Sequence, residues 1–160
     1  MFPVSRSCAR APAAANGPAL TGPGQLRSGA GKPVRLLIAD DDARVRAALG
    51  QTIALEADLA LVADAADATA ALALALALAP AERTGPLVAL VDLLIPDAAT
   101  GLALVHDLCQ QPGCAVVAMS VRGGMRRAAL AAGAVAFVEK GSDIDAILAA
   151  IRAAASARRP

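Results

Sequence analysis

VRLLIADDDARVRAALG (residues 34–50) sets two patterns back to back. The run 34–39 is short, continuous and apolar apart from Arg35, as expected of a strand buried on both faces. Beyond three consecutive acids, the stretch 43–56 places Val45, Leu49, Ile53 and Leu55 near helical spacing. An apolar strand feeding directly into a helix is the opening of a βαβ unit.

The pattern recurs along the chain. Strands are expected at 59–65, 86–91, 115–120 and 134–139, and further helices at 68–79, 101–111, 125–133 and 142–155. Segment 68–79 alternates with period two, which taken alone spells a strand. Its Ala and Leu content overrides that reading, because Ala is the best helix former and is depleted in strands. Asp67 is placed to cap this helix and Pro80 to stop it. Pro112 and Gly113 close the helix before them, and Gly133 suits a left-handed C-cap. Ser142 and Asp145 have capping-box spacing at the last helix. Strand and helix in alternation, five times over, give an α/β fold: a five-stranded parallel sheet with helices on both faces. The flavodoxin-like order 2-1-3-4-5 fits this length.

Composition narrows the function. The chain has two Phe and no Tyr or Trp, which excludes an aromatic platform for single-stranded nucleic acid. A formal net charge of +1 supplies no field for DNA or a membrane surface, so neither is an expected partner. Cys8, Cys109 and Cys114 are too few and too irregular for a zinc site or a disulfide framework, which points to a reducing, cytoplasmic setting. With His106 the lone histidine and no nucleophile-elbow glycines around any Ser, a Ser-His-Asp triad has no support. The uncharged stretch 68–81 falls short of the roughly 18–20 residues that span a bilayer. Residues 1–33 lack Asp and Glu, are rich in Pro, Gly and Ala, and are expected to be a disordered extension. An organellar transit peptide is the alternative for that acid-free, Arg-containing segment. The folded domain is expected over 34–156, with a short tail at 157–160.

The polar residues that end the strands carry the chemistry. Strand 1 runs into Asp40, Asp41 and Asp42, strand 3 ends at Asp92, strand 4 at Ser120 and strand 5 at Lys140. Ligands of an open parallel sheet bind at the carboxyl ends of its strands, at the switch point, where strands 1 and 3 are adjacent. The acids of strand 1 then face Asp92 across one inter-strand spacing of about 4.8 Å. Carboxylates that close repel one another, and a hard divalent cation such as Mg²⁺ is the usual remedy. A helix cap accounts for one acid after strand 1, but three in a row exceed what a cap needs. One carboxylate is then free to act as a nucleophile toward phosphorus, with a lysine and a hydroxyl on the phosphoryl oxygens.

The stretches LLIADDDARVR, LVDLLIP, AVVAMS and AAGAVAFVEK, in that order, resemble the receiver domain of two-component response regulators. The resemblance covers 34–155 and implies the CheY-like form of the flavodoxin-like sheet. It implies that Asp40 and Asp41 bind Mg²⁺ and that Asp92 accepts the phosphoryl group. It implies a further metal ligand in the carbonyl of Leu94, a switch hydroxyl in Ser120, an aromatic switch in Phe137 and a phosphoryl-binding lysine in Lys140. Such a module is not an enzyme in its own right. It receives a phosphoryl group from a sensor histidine kinase or histidine phosphotransfer protein. Its output passes to a downstream protein target or a homodimer. The fifth-strand stretch is similar to receivers joined to a DNA-binding helix-turn-helix, yet no such domain fits after the last helix.

Four features depart from the family pattern. Gly101 lies nine residues after Asp92, where eight is usual, so the intervening loop carries an extra residue. The stretch from Ser120 to Gly133 is about two residues short, which abbreviates helix 4 or the loop before it. Val121 stands where a small Ala is common, and Asp97 adds an acid near the site. Two other readings stand beside the receiver. A degenerate receiver would bind partners without phosphorylation. A haloacid-dehalogenase-type phosphatase would use Asp40 and Asp42, although Arg44 occupies the place where that motif has Thr or Val.

Overall fold

A computed structural model describes residues 31–78 and 85–157 of the chain. The expectations for residues 1–30, for Pro80 and for residues 158–160, Arg158 and Arg159 among them, lie outside those residues. The elements run β1 (Val34–Ala39), α1 (Ala43–Ile53), β2 (Leu59–Ala65), α2 (Ala68–Leu78), β3 (Leu87–Asp92) and α3 (Ala98–Cys109). They continue with β4 (Cys114–Ser120), a 3₁₀ turn at Gly123–Met125, α4 (Arg126–Ala131), β5 (Ala136–Glu139) and α5 (Ile144–Ala157). All strand pairs are parallel and the order is β2-β1-β3-β4-β5.

Burial explains why this order is stable. Every residue of β1, β3 and β4 is buried, which suits strands covered by helices on both faces. Leu37, Ala89, Val91 and Val116 point into one core layer, against Ala71, Ala75, Leu104 and Leu108 of α2 and α3. Leu36, Ile38, Val88, Leu90 and Val117 point into the other, against Leu49 of α1 and Leu148 and Ile151 of α5. Each fully buried Leu, Ile or Val contributes about 1.5–3 kcal/mol. The edge strands β2 and β5 are only partly covered, and β5 shortens to four residues, starting later than the apolar run suggests.

The Ala/Leu segment is a helix, with Ala71 and Ala75 buried at helical spacing. Asp67 caps it as expected, its Oδ1 accepting from Ala70 N at 2.8 Å. Among the described residues no helix is long and apolar enough to cross a membrane.

Four local expectations are corrected. The first helix ends at Ile53, and Leu55, expected on its apolar face, is 84% exposed in the turn that follows. Helix α3 starts three residues before Gly101, because Asp97 caps it through Oδ1 on Thr100 N at 2.9 Å. The capping box at Ser142 does not form. Ser142 N closes a turn onto Glu139 O, and the first bonds of α5 are accepted by Asp143 O, so Asp143 holds the N-cap position. Arg152, which in a helix over 142–155 would stand in the last turn and complement the dipole of that helix, instead reaches across to the α1–β2 loop. Its guanidinium donates to both carboxylate oxygens of Asp58 at 2.8 Å and to Glu56 at 2.7 Å. Arg35, buried on β1, meets the end of α2, its Nη2 donating to Leu78 O at 2.8 Å.

Candidate functional site

The carboxyl ends of β1, β3 and β5 bring four charged side chains together. Asp40 continues the β1 ladder, its amide donating to Ala65 O of β2 at 3.1 Å. Asp92 is the last residue of β3 and sits in register with Met119 of β4. Lys140 follows β5, its amide donating to Ser120 O at 2.9 Å. The fully buried strands β1 and β3 thus deliver Asp40 and Asp92, and the partly covered edge strand β5 delivers Lys140. Asp40 is 0% exposed and Asp92 3%, whereas Asp41 faces solvent.

The Lys140 ammonium bridges the two buried acids, with Nζ 2.6 Å from Asp92 Oδ2 and 2.7 Å from Asp40 Oδ2. Burial pushes the Lys140 pKa down, but Asp40 and Asp92 outweigh it and hold the pKa above its ordinary 10.5. The remaining oxygens take local donors. Asp42 N donates to Asp40 Oδ1 at 2.9 Å, and Leu94 N to Asp92 Oδ1 at 3.0 Å. Asp40 Oδ2 is buried and has a counter-charge but no well-directed hydrogen-bond donor.

Carboxylate oxygens of Asp40, Asp41 and Asp92 lie within 4.8 Å of one another. Three hard oxygen donors, one of them buried and short of a donor, fit a small divalent cation of the Mg²⁺ class. The Arg46 side chain clamps the backbone of this cluster from behind. Arg46 of α1 donates through Nη1 to Asp40 O at 2.8 Å and to Asp41 O at 3.4 Å, while its Nε donates to Asp64 at 2.8 Å.

Ser120 and Phe137 are placed differently from the four charged residues. Ser120 is buried at the end of β4, but its hydroxyl points to Met125 Sδ at 3.7 Å and accepts from Arg122 N at 3.2 Å. Phe137 is 7% exposed and packs into the core layer beside α3 and α4, in register with Ala118. Helix α4 has six residues, Arg126–Ala131, shorter than the expected 125–133, and Gly133 after it has φ +111°.

Two acids counted near the site belong to helix ends. Asp97 caps α3, which holds its carboxyl below the usual range, mainly through the Thr100 amide. Asp42 caps α1 and is paired with Arg44, and that side-chain bond lowers its pKa from 3.8 to about 2. Asp42 is therefore engaged away from Asp40, the partner that the phosphatase reading requires.

Gly101 shows why α3 passes so close. A Cβ there would overlap the backbone of Leu93, its carbonyl oxygen first, directly after Asp92. Helix α3 starts at Ala98, so Gly101 lies in its first turn, against the strand end. The sequence reasoning missed Arg46 and Met125. Arg46 falls one helical turn past the acids, a spacing that could have flagged it as a partner of their carbonyls.

A model of the response regulator receiver domain family matches residues 36–152. The response regulator domain of Thermotoga maritima CheB is similar, at 25% identity and TM-score 0.66, over 78% of this chain and 98% of that one. A LuxR-family two-component response regulator from Aurantimonas is 26% identical, with TM-score 0.67, over 78% of this chain and 86% of that one. A response regulator from Burkholderia pseudomallei, solved with a phosphorylated aspartic acid, calcium ion and citrate, is 26% identical at TM-score 0.60. That likeness covers 77% of this chain and 69% of that one. None of the curated proteins matches the chain.

Proposed function

The chain belongs to the response regulator receiver domain family, and on that premise we propose that it is a signalling module phosphorylated on Asp92. The observation that carries the reading is the arrangement of Asp92, buried at the end of β3, beside Asp40 and Asp41 and in contact with Lys140. The phosphorylated aspartate and calcium ion of the Burkholderia pseudomallei relative support it.

In this reading a carboxylate oxygen of Asp92 attacks phosphorus. The phosphorus–nitrogen bond of a donor phosphohistidine breaks, and the imidazole nitrogen keeps the electron pair and takes a proton. The donor is a sensor histidine kinase or a histidine phosphotransfer protein. Asp40, Asp41, Asp92 and the Leu94 carbonyl would hold Mg²⁺, which supplies charge neutralisation at the phosphoryl oxygens when bound. Lys140 is already within 2.6 Å of the Asp92 oxygen and becomes the ammonium partner of a phosphoryl oxygen. The attack places new negative charge beside the end of β4, and Ser120 leaves Met125 to donate to it. Movement of Ser120 unlocks the loop before α4, and the repacking of Phe137 passes the change to the face formed by α4, β5 and α5. The output is a contact with a downstream protein or with a second copy of the chain, with no direct DNA contact by this domain and a cytoplasmic setting. Receivers are signalling modules and not classical enzymes; acceptance and loss of the phosphoryl group are the only chemistry assigned here.

Incubation with MgCl₂ and acetyl phosphate or beryllofluoride, in parallel with Asp92→Asn, tests the proposal. The native chain is expected to bind and label, and the variant is not. Labelling at Asp40 with phosphate turnover would favour the phosphatase, and absence of binding at high Mg²⁺ the degenerate receiver.

A further inference from the structure

We infer that Arg46 is a positioning residue that sets the affinity of the acidic cluster for its divalent cation. The inference rests on the receiver reading above and deepens it.

Arg46 is held at both ends. Its side chain is 18% exposed, and its Nε is tied to Asp64 near the end of β2 at 2.8 Å. Its Nη1 then reaches the main-chain carbonyls of both Asp40 and Asp41, at 2.8 and 3.4 Å. From the other side, Asp42 N holds Asp40 Oδ1 at 2.9 Å. The β1–α1 loop is therefore pinned through its backbone, while the carboxylates stay directed at Asp92. Asp40 and Asp41, facing Asp92, would otherwise lower their repulsion by swinging into solvent. A planar guanidinium with a fixed fork suits this task, since one nitrogen is anchored on Asp64 while another reaches the carbonyls. Arg44, two residues earlier, is the natural contrast. It is exposed and bonded only to Asp42, outside the cluster.

The sign of the effect separates positioning from charge. Were Arg46 only a cation near the acids, its removal would strengthen cation binding, because a competing positive charge is lost. A positioning role predicts the opposite. Supporting partners of metal ligands typically alter affinity about 10- to 100-fold, and Arg46→Ala is expected at the lower end, about 10-fold weaker.

The test is isothermal titration of the full chain with MgCl₂, paired with acetyl phosphate labelling rates measured across Mg²⁺ concentrations. Arg46→Ala is expected to bind Mg²⁺ more weakly and to need more Mg²⁺ for half-maximal labelling, yet to reach the native rate at saturation. Arg46→Lys keeps the charge but not the fork and should fall between native and Ala. Asp64→Asn, which frees the anchor, should lose affinity in the same direction and carries the test alone if Arg46→Ala does not fold. Arg44→Ala should match the native chain. Unchanged or tighter Mg²⁺ binding in Arg46→Ala and Asp64→Asn overturns the inference. So does a lowered saturating rate with native Mg²⁺ affinity. Failure of the native chain itself to bind Mg²⁺ would instead overturn the receiver reading.

Discussion

The two halves of the strand-end surface are built in contrasting ways. On the β1–β3 side, Asp40 and Asp92 are buried and joined through Lys140, and the Asp40–Asp41 backbone is clamped by Arg46. On the β4–α4 side, Ser120 rests on a thioether at 3.7 Å, and neither the 3₁₀ turn nor the six-residue α4 has a side-chain N-cap bond. A thioether is a weak acceptor. The first half is arranged before any phosphoryl group arrives, and the second is held by contacts weak enough to exchange. In the proposed function, binding chemistry and response fall to different parts of one surface.

Two glycines, one in each half, put that contrast at risk. A Cβ on Gly101 meets the backbone of Leu93, which cannot move without displacing Asp92, whereas a Cβ on Gly123 meets only the mobile end of the Glu139 side chain. Gly101→Ala is expected to cost about 2–3 kcal/mol in chemical denaturation, within the range for overpacking. Lys140→Met leaves two buried acids without their ammonium. Because the Lys140 side chain keeps 18% exposure, the cost is set below that of a fully buried pair, at about 2 kcal/mol. Its folded pKa is raised, so this contribution is fully present below pH 10.5 and fades only as pH rises through the higher folded value. The difference in stability between native and Lys140→Met should therefore stay constant across neutral pH, and a loss of that difference near pH 7 would break the account.

The switch half should tolerate more. Gly123→Ala is expected to change stability by no more than about 0.5 kcal/mol, and a cost as large as that of Gly101→Ala would erase the contrast between the halves. The smallest effect lies outside both, at the α1 cap. Arg44→Ala should raise the Asp42 pKa from about 2 toward 3.8, readable by NMR titration of its carboxyl. In the native chain the depressed pKa gives stability that is present above about pH 3.8 and lost as pH falls toward 2. Arg44→Ala should shrink that acid-limb loss.

Much of this was legible in the sequence because burial on both faces leaves a strong mark. The continuous apolar runs of β1, β3 and β4 predict strands, and the polar residue that ends each run predicts its place at the site. The resemblance to the family marks the region of α4 as short, although the helix spans Arg126–Ala131 and not the expected 125–133. Helix ends were less legible, since several residues compete for one cap. Asp97 looked like a site acid although Ala98 and Ala99 after it are strong helix formers, and Asp143 displaced Ser142. Contacts between distant elements left no local pattern. Arg152 finds Asp58 across 94 positions, and Arg46 finds Asp64 across 18. The rotamers of Ser120 and Phe137 depend on packing around α4, which periodicity does not encode.

In the proposed function, Asp92 is the residue this fold prepares for phosphorylation. Borohydride reduction after acetyl phosphate labelling converts an aspartyl phosphate to homoserine, and peptide mapping then reads its position. The account predicts homoserine at position 92 in the native chain, dependent on Mg²⁺, and none in Asp92→Asn. Homoserine at position 40 or 41, or undiminished labelling in Asp92→Asn, would contradict it.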